Sequence, residues 1–194
     1  MVTFLNVHGF GSTGDNTKAA ALRNHFPDNE LISPDFPMDP FGCMELLEKT
    51  INKYADRELV LLGSSMGGFY SLLAHIRFGV KVLMINPALN PSVLLLDHIG
   101  EVENYKTGEK GVVTHDHVQV FEKLEDEIMQ GKTDPSKLMA LLGEEDEVLD
   151  QKVMKKILDA KGVNYLCFHD NHHFDAYDIL LEEDKRIRSF LMNE

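Results

Sequence analysis

The sequence predicts an α/β fold with a mostly parallel sheet and helices on both faces. Short apolar runs of strand length alternate along the chain with longer segments whose apolar residues recur at helical spacing. The clearest run, residues 59–62, has no polar alternation, which is typical of a strand buried on both faces of a parallel sheet. Parallel strands need crossover connections, so this rhythm predicts right-handed strand–helix–strand units.

Six strands and six longer helices account for most of the chain. The expected strands cover residues 2–7, 31–32, 59–62, 80–85, 138–142 and 163–168. The expected helices cover residues 15–26, 44–54, 69–76, 118–129, 148–160 and 176–192, where apolar residues repeat every three or four positions.

Residues 88–135 break this rhythm between the fourth and fifth strands. A short helix is expected near residues 94–96, and residues 101–111 are polar and contain Gly and Lys. Because the strand–helix rhythm resumes afterwards, we expect a lid-like excursion within a single domain that spans residues 1–194. Its composition fits a lid over an acyl pocket and a packed surface elaboration equally well.

The composition limits the partners and the compartment. A formal net charge of −13 argues against nucleic-acid and anionic-membrane partners, which select for basic patches, and it favours solubility. The two cysteines, Cys43 and Cys167, lie far apart without CxxC spacing, as expected in a reducing compartment. The first strand begins at residue 2 and no apolar run approaches a membrane span, so we expect a cytoplasmic protein without a signal peptide.

A tight turn follows the apolar run at residues 59–62. Gly63, Ser65 and Gly67 match the G-x-S-x-G nucleophile elbow, in which a sharp strand-to-helix turn leaves no room for side chains beside the serine. Ser65 would then expose its Oγ at a helix N-terminus, which favours developing negative charge. The alternative is a Gly-rich turn that only binds a phosphate or packs closely.

Three reactive side chains follow the ends of different strands. Ser65, Asp146 and His172 each come just beyond an apolar run, where sites form in parallel sheets. A serine alone is a weak nucleophile, so a histidine must take its proton and a carboxylate must orient that histidine. The chain order Ser, Asp, His is that of the α/β-hydrolases.

Several motifs extend this pattern over nearly the whole chain. They read HGFGS, GSSMGG, INPALNP, NYKTGE, GEEDEVLD and NHHF, in that order. Together they resemble the YqiA-type esterases, with HGF, INPA and NYKTGE as the more specific combination. The resemblance implies an α/β-hydrolase fold and hydrolysis of small carboxylic esters, with short acyl chains as the usual model substrates.

Carried over by position, the resemblance makes Ser65 the nucleophile, Asp146 the acid and His172 the base. The backbone N–H groups of Phe10 and Met66 would form the oxyanion hole. The sequence identifies no substrate-binding residue.

Neighbouring residues compete for two of these roles. The carboxylates of Glu144, Glu145 and Asp150 are alternatives to Asp146, and His173 is an alternative to His172. Two further activities also stay open: an acyl thioesterase, which the negative charge disfavours because coenzyme A is anionic, and a hydrolase-fold binding protein with an unused triad.

The histidine-rich stretches allow a metal-centred interpretation. Residues 169–173 contain three histidines and Asp170, and His115 and His117 add two more imidazoles. No HExxH or CxxC spacing accompanies them, so a solvated loop with one catalytic histidine is favoured and Asp170 is expected to cap or solvate the turn. We therefore expect no metal and no cofactor.

Overall fold

A computed structural model describes residues 1–192 and contains a six-stranded sheet and a separate two-stranded hairpin. The strands are β1 (Val2–Val7), β2 (Glu30–Ile32), β3 (Glu58–Ser64), β4 (Lys81–Ile85), β5 (Gly100–Glu103), β6 (Lys110–Val113), β7 (Leu138–Gly143) and β8 (Asn164–Phe168). The large sheet has the order β2-β1-β3-β4-β7-β8, and every neighbouring pair in it is parallel. The predicted parallel sheet is confirmed.

Helices connect consecutive strands except β5 and β6, and two more helices follow β8. They are α1 (Thr17–His25), α2 (Pro40–Lys53), α3 (Met66–Phe78), α4 (Pro91–Leu96), α5 (His115–Gln130), α6 (Gln151–Ala160), α7 (Tyr177–Glu183) and α8 (Lys185–Met192), with a short 3-10 turn at Pro135–Lys137. None of the helices within residues 1–192 is long and apolar enough to cross a membrane.

The sheet has a hydrophobic core on each face, because successive side chains of a strand point to opposite sides. In β3, Leu61 belongs to the core that α2, α3 and α6 cover, whereas Val60 and Leu62 belong to the core that α1, α7 and α8 cover. All three of these side chains are fully buried. Burial on both faces explains why the strand lacks polar alternation, and the expected arrangement of helices on both faces of the sheet is confirmed.

Residues 101–111, for which the sequence predicts no strand, include most of β5 and half of β6. These two strands pair as an antiparallel hairpin with Glu101 opposite Val112. The hairpin was missed because each of its strands has only four residues and is largely exposed, so neither forms an apolar run. Asn104 and Tyr105 at its turn contact the loop after β1.

Most helix boundaries differ from the prediction by a few residues, and acidic side chains explain two of the differences. Helix α6 begins at Gln151 rather than Val148, because the Asp150 side chain caps it by accepting a hydrogen bond from the N–H of Lys152 at 2.8 Å. The expected closing helix is divided at Asp184, whose carboxylate accepts from the N–H of Arg186 at 2.9 Å. In both places an acidic side chain bonds backbone groups that a continuous helix would use itself.

Candidate active site

Ser65 lies at the turn between β3 and α3 in a rare backbone conformation. Its φ of 51° and ψ of −121° lie outside the regions that non-glycine residues ordinarily adopt. Such strain persists only where the surrounding structure fixes it, and it is concentrated at functional sites. The conformation is the sharp strand-to-helix turn that the G-x-S-x-G spacing predicts.

Close packing explains the glycines on either side of Ser65. A Cβ atom added to Gly67 would overlap the carbonyl group of Val7, and one added to Gly63 would overlap the carbonyl group of Gly67. At Gly68 an added Cβ would lie 2.7 Å from the Cβ of Pro87. Backbone from β1 and from the turn after β4 therefore presses against the elbow on two sides.

The His172 imidazole connects Ser65 to Asp146. Its Nε2 atom lies 3.2 Å from the Ser65 Oγ, and its Nδ1 atom lies 3.0 and 2.9 Å from the two carboxylate oxygens of Asp146. The Asp146 side chain is fully buried and that of His172 is 13% exposed. Of the predicted site residues, the structure thus brings Ser65, Asp146 and His172 into one hydrogen-bonded chain.

Backbone groups hold Asp146 in place and keep it ionised. Its Oδ1 accepts hydrogen bonds from the N–H groups of Val148 at 2.9 Å and Leu149 at 2.8 Å. Burial on its own would raise the pKa of Asp146, but the hydrogen bonds from His172, Leu149 and Val148 together outweigh burial and lower that pKa. The carboxylate is therefore charged at neutral pH.

The competing residues lie elsewhere or make other contacts. Glu145 faces His169 at 3.5 Å, and Asp150 caps α6. The ring of His173 is centred 6.2 Å from that of His172, and its backbone carbonyl accepts from the Lys18 ammonium group. Among these residues the structure shows contact with Ser65 only for His172.

The loop after β1 lies directly beside Ser65. A Cβ atom added to Gly9 would be 3.2 Å from the Ser65 Cβ, so Phe10 follows within one residue of this contact. The buried His8 ring fixes the loop: its Nε2 accepts from the N–H of Phe36 at 2.8 Å, which leaves the proton on Nδ1 to donate to the Gly9 carbonyl at 2.8 Å. Burial lowers the pKa of His8, which favours this neutral, structural form.

Ser65 opens into a cleft of about 410 Å³. The sequence identifies no substrate-binding residue. In the structure, the residues that line this cleft include Phe10, Lys18, Tyr105, Lys106, Val148, His172 and His173. Tyr105 is 63% exposed and Val148 is 55% exposed, so both side chains are accessible to a ligand in this cleft. The NYKTGE motif is the available signal for Tyr105, but only the fold shows that this residue lines the same cleft as Ser65.

A larger cleft, of about 570 Å³, lies at the other end of the sheet. It is lined by Glu58 and Lys81, the first residues of β3 and β4. Ligands of open parallel sheets bind at the carboxyl ends of the strands, so position and chemistry favour the smaller cleft at Ser65 over the larger one.

The histidine-rich stretches do not come together. Within residues 1–192, no three His, Cys, Asp or Glu side chains are grouped closely enough to hold a metal ion. His117 faces Asp39 at 3.5 Å. The buried carboxylate of Asp170 accepts from the N–H groups of Asn171, Asp175 and Ala176, so it caps the turn that carries His172.

The sheet order, the elbow and the Ser–His–Asp contacts define a protein of the α/β-hydrolase fold. Solved structures share this fold: Est1E from Butyrivibrio proteoclasticus has a TM-score of 0.75 at 17% identity, covering 100% of this chain and 88% of that one. A hydrolase from Agrobacterium vitis S4 has a TM-score of 0.75 at 17% identity, over 98% and 88%. A monoacylglycerol lipase from Paleococcus ferrophilus has a TM-score of 0.73 at 10% identity, over 99% and 95%. At such identities the likeness establishes the fold.

The family follows from the sequence itself. The sequence model of the uncharacterised protein family UPF0227 matches residues 3–191, so the chain belongs to UPF0227, the family of the YqiA-type esterases that its motifs resemble. A UPF0227 protein of Serratia proteamaculans (strain 568) is 24% identical over 195 residues, covering 98% of each chain. One from Vibrio parahaemolyticus is 27% identical over 111 residues, or 55% of this chain and 61% of the relative.

Proposed function

We propose that this protein is a serine hydrolase that cleaves small carboxylic esters through an acyl-enzyme intermediate. One observation carries the proposal: Asp146, His172 and Ser65 form a continuous chain of hydrogen bonds that ends at a strained nucleophile elbow. The names of neighbouring structures agree with it, since a monoacylglycerol lipase is an ester hydrolase.

Acylation begins at Ser65. Its Oγ attacks the ester carbonyl carbon while Nε2 of His172, 3.2 Å away, takes the hydroxyl proton. The tetrahedral intermediate then collapses, the bond to the alcohol oxygen breaks, and His172 returns the proton to the departing alkoxide. In the second half a water molecule repeats these steps on the acyl-enzyme, releasing the acid and free Ser65.

Asp146 sets the tautomer of His172. Because its carboxylate lies 2.9 Å from Nδ1, that nitrogen carries the proton and Nε2 is free to act as a base. When His172 becomes positively charged during the reaction, the ionised Asp146 stabilises that charge without taking the proton.

The oxyanion would be stabilised by backbone N–H groups on two sides of Ser65. Met66 is the first residue of α3, so its N–H has no partner within the helix. Phe10 follows Gly9, which lies against the Ser65 side chain. Two such donors, fixed in position before the reaction, are worth several kcal/mol of transition-state stabilisation in enzymes of this type, about 3 to 4 kcal/mol for each donor.

A fluorophosphonate probe tests the nucleophile directly. The wild-type protein should be labelled and should hydrolyse p-nitrophenyl esters of short acids, whereas Ser65→Ala should do neither. Ser64→Ala is the matched control, because Ser64 is adjacent in the chain and also lines the cleft. Labelling of Ser65→Ala to the wild-type extent would reject the proposal.

A further inference from the structure

Asn86 directly follows β4 and lies between the loops that carry Asp146 and His172. It is fully buried, and its φ of 40° places it in the left-handed region that asparagine tolerates better than most residues. In the sequence, Asn86 belongs to the INPALNP motif.

The side-chain amide of Asn86 bonds both of these loops. Its Oδ1 accepts from the N–H of Gly143 at 2.7 Å, at the start of the loop that leads to Asp146. Its Nδ2 donates to the carbonyl oxygens of Asn171 at 3.0 Å and His172 at 3.1 Å. One buried amide therefore bonds the backbone of His172 itself and the last residue of β7, after which the loop of Asp146 begins.

The backbone around Asn86 also bonds the nucleophile. The N–H of Ser65 donates to the Ile85 carbonyl at 3.0 Å, and the N–H of Ala88 donates to the Ser65 carbonyl at 3.0 Å. The short segment 85–88 thus forms hydrogen bonds with Ser65, with the loop of His172 and with Gly143, which precedes the loop of Asp146.

Asparagine suits this position better than aspartate or glycine. The site needs an acceptor for the N–H of Gly143 and two donors for the loop of His172, and the amide is the smallest side chain that supplies both. Aspartate keeps the shape and the acceptor but has no donor when ionised. Glycine accommodates the φ of 40° but leaves three backbone groups without their side-chain partners.

We propose that Asn86 is a positioning residue that holds the His172 loop and the Asp146 loop at a fixed separation. Its effect on catalysis rests on the function proposed above, but the positioning is observable without any reaction. Displacements of about 1 Å in such a site reduce rates by roughly 10²-fold.

The test compares the same change at two buried asparagines. Asn86→Asp removes the donors to the His172 loop, and Asn6→Asp makes the same substitution in β1, where the Nδ2 of Asn6 donates to Ser33 Oγ at 2.9 Å. Asn6 is also fully buried, and its side chain donates hydrogen bonds to Gly14 and Ser33 rather than to either loop. For both variants, the number of active sites is counted by fluorophosphonate labelling, and kcat per labelled (titrated) site and KM are measured. NMR follows the downfield proton resonance of His172 Nδ1–H, which is identified by its loss in His172→Ala.

We expect Asn86→Asp to lower kcat per titrated site by 10- to 100-fold, with KM within about threefold, and to shift or broaden the His172 resonance. Asn6→Asp should keep the wild-type kcat per titrated site and the wild-type His172 resonance. A purely structural role for Asn86 would reduce the number of titrated sites and leave kcat per site unchanged. If Asn86→Asp does not fold, Asn86→Gly is measured in the same way, since glycine tolerates the backbone conformation.

Either of two results would overturn the proposal. In the first, the Asn86 variant keeps the wild-type His172 resonance and a kcat per titrated site within twofold of wild type. In the second, Asn6→Asp lowers kcat per titrated site as much as the Asn86 variant does. Failure of the proposed function looks different. A wild-type protein without probe labelling or ester hydrolysis would reject the hydrolase, while the resonance of His172 would still decide whether Asn86 positions it.

Discussion

The Nε2 atom of His172 lies 3.2 Å from the Oγ of Ser65, although the two residues are 107 positions apart. They follow β8 and β3, which are separated in the sheet by β7 and β4, or about 14 Å at the usual strand spacing. The loop after β8 must therefore reach across the ends of two strands. Gly143, at the end of β7, and Asn86, at the end of β4, both lie against this loop.

His172 and His173 should differ sharply in their effect on turnover. His172→Ala removes the base that contacts Ser65, so kcat should fall by at least about 10³-fold, as when a triad member is lost. His173→Ala removes an exposed ring without contact to Ser65, so kcat should stay within about tenfold. Steady-state kinetics with a short-chain p-nitrophenyl ester measures both. The reverse ranking would transfer the role of base to His173.

Asp146→Asn should lower kcat by about 10⁴-fold, because an amide cannot enforce the tautomer that leaves Nε2 of His172 unprotonated. Glu145→Gln serves as a matched control, since its carboxylate faces His169 instead. An equal loss of kcat in both variants would mean that the negative charge of the loop matters, and not the contact of Asp146 with His172.

The same substitution should have a pH-dependent effect on stability. The folded pKa of Asp146 is lowered, so its ionised form stabilises the fold above the unfolded value of about 3.9 and this contribution is lost as the pH falls through the lower folded value. The difference in free energy of unfolding between wild type and Asp146→Asn should be largest above about pH 5 and should narrow below 3.9. Urea denaturation at several pH values measures it. A difference that widens towards low pH would contradict the sign of the shift.

The sequence predicted the main sheet and its helices because these elements depend on local periodicity. The apolar run around Leu61 predicts a buried strand. The glycines beside Ser65 reflect the close packing of one tight turn. The structure brings Asp146 and His172 to the predicted serine, since each follows a strand that ends at the same edge of the sheet.

What could not be predicted depends on contacts between distant segments. Nothing local in the INPALNP motif shows that the Asn86 amide faces Gly143 and His172, which lie 57 and 86 positions away. Tyr105 enters the cleft only because the β5–β6 hairpin packs on the loop after β1, and exposed four-residue strands leave little trace in hydropathy.

The elbow glycines allow a direct test of close packing. Gly67→Ala places a Cβ atom into the carbonyl group of Val7, where backbone has to move, so we expect the variant to lose about 3 kcal/mol or more, or to fail to fold. Gly79→Ala is the matched control: Gly79 ends the same helix with φ of 66° and has nothing within 4 Å of an added Cβ, so only about 1 to 2 kcal/mol of backbone strain is expected. Thermal and urea unfolding compare the two. Similar losses would show that the elbow relaxes around the new methyl group.

Contacts at the turn of the β5–β6 hairpin bear on whether residues 88–135 behave as a mobile lid. Asn104 is buried there; its Nδ2 donates to the Ser12 carbonyl at 2.8 Å, and its Oδ1 accepts from the N–H groups of Lys106 and Thr107. The N–H of Tyr105 donates to the Gly11 carbonyl at 3.0 Å. These bonds attach the hairpin to the loop that carries Phe10.

We therefore expect the Tyr105 amide to exchange slowly with solvent deuterium, because exchange requires the hairpin to leave the loop after β1. Asn104→Ala leaves buried backbone groups without partners, at a cost of about 1 to 3 kcal/mol, and should accelerate that exchange by roughly 5- to 150-fold. Glu109→Ala changes an exposed side chain of the same hairpin and should leave the rate unaltered. Exchange of Tyr105 in the wild type at the rate of an unstructured peptide would instead show that the hairpin opens freely, as a lid does, and that the contacts of Asn104 do not restrain it.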